Sequence, residues 1–112
     1  MQFSKSLEQR TPTMRLTPEQ IQIIRRTVAE IAGPKARVRL FGSRLDDQSK
    51  GGDIDLLVEM PDPVENAAVL GARLEARLER RLGGRKIDVV LAAPNIRRQS
   101  IHDLAEREGI LL

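Results

Sequence analysis

The stretch Asp53-Ile54-Asp55-Leu56-Leu57-Val58-Glu59 decides how this chain is read. It is a short, mostly apolar run of strand length, and side chains on a strand alternate between its two faces. At about 3.3 Å per residue, Asp53 and Asp55 project from the same face roughly 6.6 Å apart, while Ile54, Leu56 and Val58 turn toward a core.

Two carboxylates that close repel one another, and a divalent cation relieves the repulsion. Magnesium takes hard oxygen ligands, usually only one or two carboxylates, and completes its shell with water and substrate phosphates. The pair therefore suits a metal that arrives with a nucleotide. Upstream, Val38-Arg39-Leu40-Phe41 reads as a second strand ending at Gly42-Ser43. A glycine there lets the backbone approach a ligand or adopt a positive φ. Consecutive N–H groups of Gly42, Ser43 and Arg44 at such a turn can hold phosphate oxygens. A calcium loop of the EF-hand kind is excluded by spacing, because apolar residues from Leu56 onward stand where further oxygen donors are needed.

Leu40-Phe41-Gly42-Ser43-Arg44, the spacer through Gly51-Gly52, and Asp53-Ile54-Asp55-Leu56-Leu57-Val58 together resemble the signature of the DNA polymerase beta nucleotidyltransferase superfamily, in its minimal nucleotidyltransferase (MNT) branch. The resemblance implies a third acidic residue on a later strand, and Lys86-Ile87-Asp88-Val89-Val90-Leu91 supplies Asp88. It further implies that Asp53, Asp55 and Asp88 are catalytic and hold two magnesium ions, and that Gly42 and Ser43 cradle the phosphates of ATP. Arg44 or Lys50 would offset the charge of the leaving pyrophosphate. The implied reaction is transfer of AMP to a hydroxyl of a partner HEPN toxin, with the chain as antitoxin, in a homo- or hetero-oligomer. Two other readings stand beside it: a non-catalytic module that neutralises a HEPN partner by complex formation, and nucleotidylation of a small molecule. Gly52 stands where the family often has Ser, and Asp46-Asp47 puts acid into a spacer that often carries Arg and Gly.

The remaining sequence narrows the classes. A chain of 112 residues suits one domain, here residues 16–112, with Met1–Arg15 as a mobile polar arm. Cysteine is absent and there is one histidine, which leaves oxygen ligands for any metal. No apolar run reaches membrane-spanning length, so no membrane partner and a cytoplasmic location are expected. The net charge of +3 and the cluster Arg80, Arg81, Arg85, Lys86 invite a nucleic-acid partner. With only Phe3 and Phe41 as aromatics, however, stacking platforms are lacking, and the cluster reads as a solvated helix end.

Thr17-Pro18-Glu19-Gln20 is a capping box with proline at the first helical position, followed by Ile21, Ile24, Val28 and Ile31 at helical spacing. Gly33-Pro34 ends that helix. Asp62-Pro63-Val64-Glu65 predicts the start of a second helix, with Ala67, Leu70, Leu74, Leu78 and Leu82 on one face and Gly83-Gly84 as the stop. A third helix is expected from about Asn95 to Glu108, with Ile101, Leu104 and Ala105 inward, and Ile110-Leu111-Leu112 as an edge strand or docking tail. His102 follows Arg97 at the spacing of a HEPN ribonuclease motif, which reads as coincidence, and the imidazole is expected at the surface. The order predicts an α/β fold with a small mixed sheet flanked by helices, as in polymerase-beta-type nucleotidyltransferases.

Overall fold

The computed structural model describes residues 16–42 and 54–112. Among these residues three helices, α1 (Pro18–Ala32), α2 (Ala67–Arg81) and α3 (Ser100–Glu108), flank four strands, β1 (Arg37–Phe41), β2 (Ile54–Glu59), β3 (Ile87–Ala92) and β4 (Ile110–Leu111). The sheet runs in the order β3-β2-β1-β4, so the mixed α/β architecture read from the sequence is the one observed. The expected arm Met1–Arg15 lies outside the described residues.

β1 and β2 pair antiparallel. β3 returns parallel to β2 because α2 intervenes, as a parallel pair requires a crossover rather than a tight turn. The tail forms β4, antiparallel to β1 at the opposite edge.

Alternation along β2 sorts the two faces. Ile54, Leu56 and Val58 are fully buried against Ile24 and Val28 of α1 and Leu74 and Leu78 of α2. Each such aliphatic side chain contributes about 1.5–3 kcal/mol of burial energy, which makes this cluster the principal source of stability. Leu57, on the other face, is also fully buried, beneath Ala105 and Ile101 of α3 and beside Phe41. The sheet is therefore covered on both faces where α3 lies. Arg81 ties α2 to α1, its Nη1 donating to Thr27 Oγ1 at 2.8 Å and to Glu30 Oε1 at 2.9 Å.

Thr17 and Gln20 form the expected reciprocal cap of α1. α2 ends as expected, with Gly84 N–H donating to Glu79 O at 2.7 Å across a left-handed Gly83. Two helices start later than expected, and one side chain joins the segments before them. The Asn95 carboxamide bonds both backbone groups of Val64, accepting from its N–H at 2.9 Å and donating to its C=O at 2.8 Å. α2 begins at Ala67, with Asn66 Oδ1 accepting from Val69 N–H. Asn95 is held in a turn, and α3 starts only at Ser100.

Candidate active site

The strand register brings two of the predicted acids together. Asp55 and Asp88 are directly paired across the parallel β2–β3 ladder, so their side chains rise from the same face of neighbouring strands. Adjacent strands are about 4.8 Å apart, which puts the two carboxylates within reach of a common ion. Phe41 is the partner of Asp55 on the other side, so the end of β1 and the starts of β2 and β3 meet at one end of the sheet. This is the end beyond the α3 cluster, and Asp55 and Asp88 are both partly exposed there.

Gly42 closes the site from β1. It has φ +77°, and a Cβ built on it would overlap Asp55 Oδ2 and stand 3.2 Å from Asp55 Cγ. The left-handed backbone favours glycine, and a larger residue there would have to displace the Asp55 carboxylate. Beside Asp88, Lys86 Nζ lies 3.2 Å from Oδ1, two residues earlier on the same face. Asp53, Ser43, Arg44 and Lys50, together with Asp46-Asp47 and Gly51-Gly52, lie outside the described residues. Among the described residues no group of three acidic or histidine side chains forms a metal site. The described donor set, two carboxylates on adjacent strands with open access, nevertheless has the hard-oxygen chemistry that magnesium takes.

His102 corrects the sequence reading. It is only 4% exposed, not a surface residue. Its Nδ1 accepts from Gln99 N–H at 2.9 Å, which requires the proton on Nε2, and Nε2 lies 2.9 Å from Leu91 O and donates to it. The imidazole therefore caps α3 and covers the outer edge of β3. Glu79 and Glu75 do the same for that edge, accepting from Ile87 N–H at 3.2 Å and from Val89 N–H at 2.9 Å. The pairing sign in the sequence is the four-residue spacing of Glu75 and Glu79, which puts both on one side of α2.

In the basic cluster Arg80, Arg81 and Lys86 are exposed, as a solvated helix end requires. Arg81 is spent on α1 and Lys86 on Asp88. No helix among the described residues is long and apolar enough to cross a membrane.

The family model described as the nucleotidyltransferase domain matches residues 21–112. No curated protein matches the chain in sequence. The fold is similar to that of a chain in the crystal structure of a toxin–antitoxin with AMP-PNP, at TM-score 0.61 and 22% identity over 86% of this chain and 72% of that one. It is also similar to a chain in the crystal structure of a mutant MntA-HpeT toxin–antitoxin, at TM-score 0.58 and 22% identity over 87% and 71%.

Proposed function

The chain belongs to the nucleotidyltransferase-domain family, and from that premise we propose that it is a magnesium-dependent adenylyltransferase that moves AMP from ATP to a hydroxyl of a partner HEPN toxin, acting as the antitoxin. The observation that carries this reading is the register pairing of Asp55 with Asp88 on one face, with Gly42 seated against Asp55. Support for the donor and the partner comes from the fold neighbours, both chains of toxin–antitoxin crystal structures, one of them with AMP-PNP, an ATP analogue.

In this reading Asp53, Asp55 and Asp88 would hold the magnesium ions. Bound magnesium supplies positive charge that offsets the triphosphate and the charge developing at the α-phosphorus. The backbone of Gly42 and Ser43 binds the β- and γ-phosphates, and the Arg44 guanidinium adds charge beside them. Asp88 takes the proton of the acceptor hydroxyl, whose oxygen bonds to the α-phosphorus as the bond to the β-phosphate oxygen breaks and pyrophosphate leaves. The partial exposure of Asp88 suits that role, since the acceptor belongs to another protein.

The test is label transfer from α-labelled ATP to a co-expressed HEPN protein, with Asp53→Asn and Asp55→Asn as controls. Label on the HEPN protein that both substitutions abolish is the expected result. Neutralisation that survives in both variants without any labelling would replace the enzyme with an antitoxin that works by complex formation alone.

A further inference from the structure

Lys86 stands at the candidate metal site, paired with Asp88. Its position is set by the sheet rather than by side-chain preference: Ile54 N–H donates to Lys86 O at 3.0 Å, which pins the lysine backbone beside the start of β2. From there its side chain shares a face with Asp88, and Nζ lies 3.2 Å from Oδ1. Side-chain exposure is 61% for Lys86 and 44% for Asp88. An ion pair that exposed contributes little to folding. Its consequence is local instead: a fixed positive charge sits on one of the carboxylates that would hold a cation.

We propose that Lys86 is a positioning residue that occupies Asp88 in the nucleotide-free chain and weakens its affinity for a bare divalent ion, so that metal is taken up together with a triphosphate. This rests on the proposed transferase reading of the same site. A divalent ion approaching Asp88 meets the ammonium at close range, and the repulsion falls on the metal alone. A metal–triphosphate complex carries net negative charge, so the same lysine attracts it. Lys86 thereby discriminates between free metal and metal delivered with substrate, using one charge with opposite effects on the two.

The experiment measures Mn2+ binding to the full chain by electron paramagnetic resonance of the free ion, with and without AMP-PNP, alongside thermal unfolding. Lys86→Met is expected to tighten binding of Mn2+ alone by about 3- to 10-fold, the size of a screened unit charge a few ångströms away. It is expected to weaken binding of Mn2+ with AMP-PNP, with Lys86→Arg close to wild type in both and melting temperatures unchanged. If wild-type Mn2+ binding depends on Asp55 and Asp88 but Lys86→Met leaves the metal-alone affinity equal or weaker, the lysine's role is overturned and the site stands. If Mn2+ binding ignores Asp55→Asn and Asp88→Asn, the site reading falls and the inference with it.

Discussion

Gly42 lies directly against the carboxylate of Asp55, so close that a methyl group on its α-carbon would overlap Oδ2. The end of β1 and the start of β2 therefore share one volume, and the glycine positions the acid as well as freeing the backbone. Gly42→Ala is expected to cost about 1–2 kcal/mol from the positive φ alone. Displacing Asp55 by a fraction of an ångström to an ångström is expected to lower label transfer about 100-fold. Thermal unfolding paired with the transfer assay checks both, and a variant with near wild-type transfer would detach Gly42 from the site.

Asp55 and Asp88 act as one unit if both hold the same ions. Asp55→Asn and Asp88→Asn are each expected to reduce transfer by about 100-fold or more, the loss usual for removing one strong electrostatic group. The double variant is expected to lose little further, because groups that act together are not additive. Multiplicative losses in a rate comparison would show two independent roles.

His102→Ala removes both the cap of α3 and the donor to Leu91 O. The expected destabilisation is about 2–3 kcal/mol, combining a lost cap with an unsatisfied carbonyl at a buried edge. Urea unfolding measures it. A change below about 0.5 kcal/mol, the range of ordinary surface substitutions, would return the residue to the surface role its sequence context suggested.

Arg98, just before α3, donates to Asp103 at 2.7 Å and to Glu106 at 3.0 Å. Its hydrogen bonds hold both carboxyls below the usual carboxylate range. Groups with depressed folded pKa values stabilise above their unfolded pKa, near 4, and lose that contribution as the pH falls through the folded value. Wild type is thus expected to exceed Arg98→Gln slightly in melting temperature at neutral pH, with the difference lost as the pH falls through the lowered folded values. The groups face solvent, so the effect is small and salt-sensitive.

Glu75 and Glu79 shield the outer edge of β3 by accepting from Val89 and Ile87. The double substitution to Ala leaves those N–H groups open on an edge strand, the usual template for edge-to-edge association. Concentration-dependent self-association in sedimentation velocity is expected for the double variant relative to wild type.

The parts of the fold that were legible are those written locally. The Thr17–Gln20 cap, the apolar spacing of α1 and α2, the glycine stop of α2 and the alternation of β2 each depend on residues a few positions apart, whose geometry is set by helical or strand periodicity. The start of α2 is not legible locally: the helix begins at Ala67, and the segment before it is held by Asn95, a residue far along the chain. The site divides the same way. Asp55 and Gly42 were readable from strand ends and spacing, whereas Asp88 was reached through resemblance.

Sequence by itself determined the strand carrying Asp55, the glycine ending β1 and the order of the elements from α1 to α3, because these follow from local conformational preference and hydrophobic period. Only tertiary structure decided that Asp88 stands level with Asp55, that Lys86 sits on Asp88, and that His102 is buried against β3. Those facts depend on the register of a parallel pair joined through a helix and on how α3 docks. Neither is encoded in any short window, since sheet register is set by burial of whole faces at once.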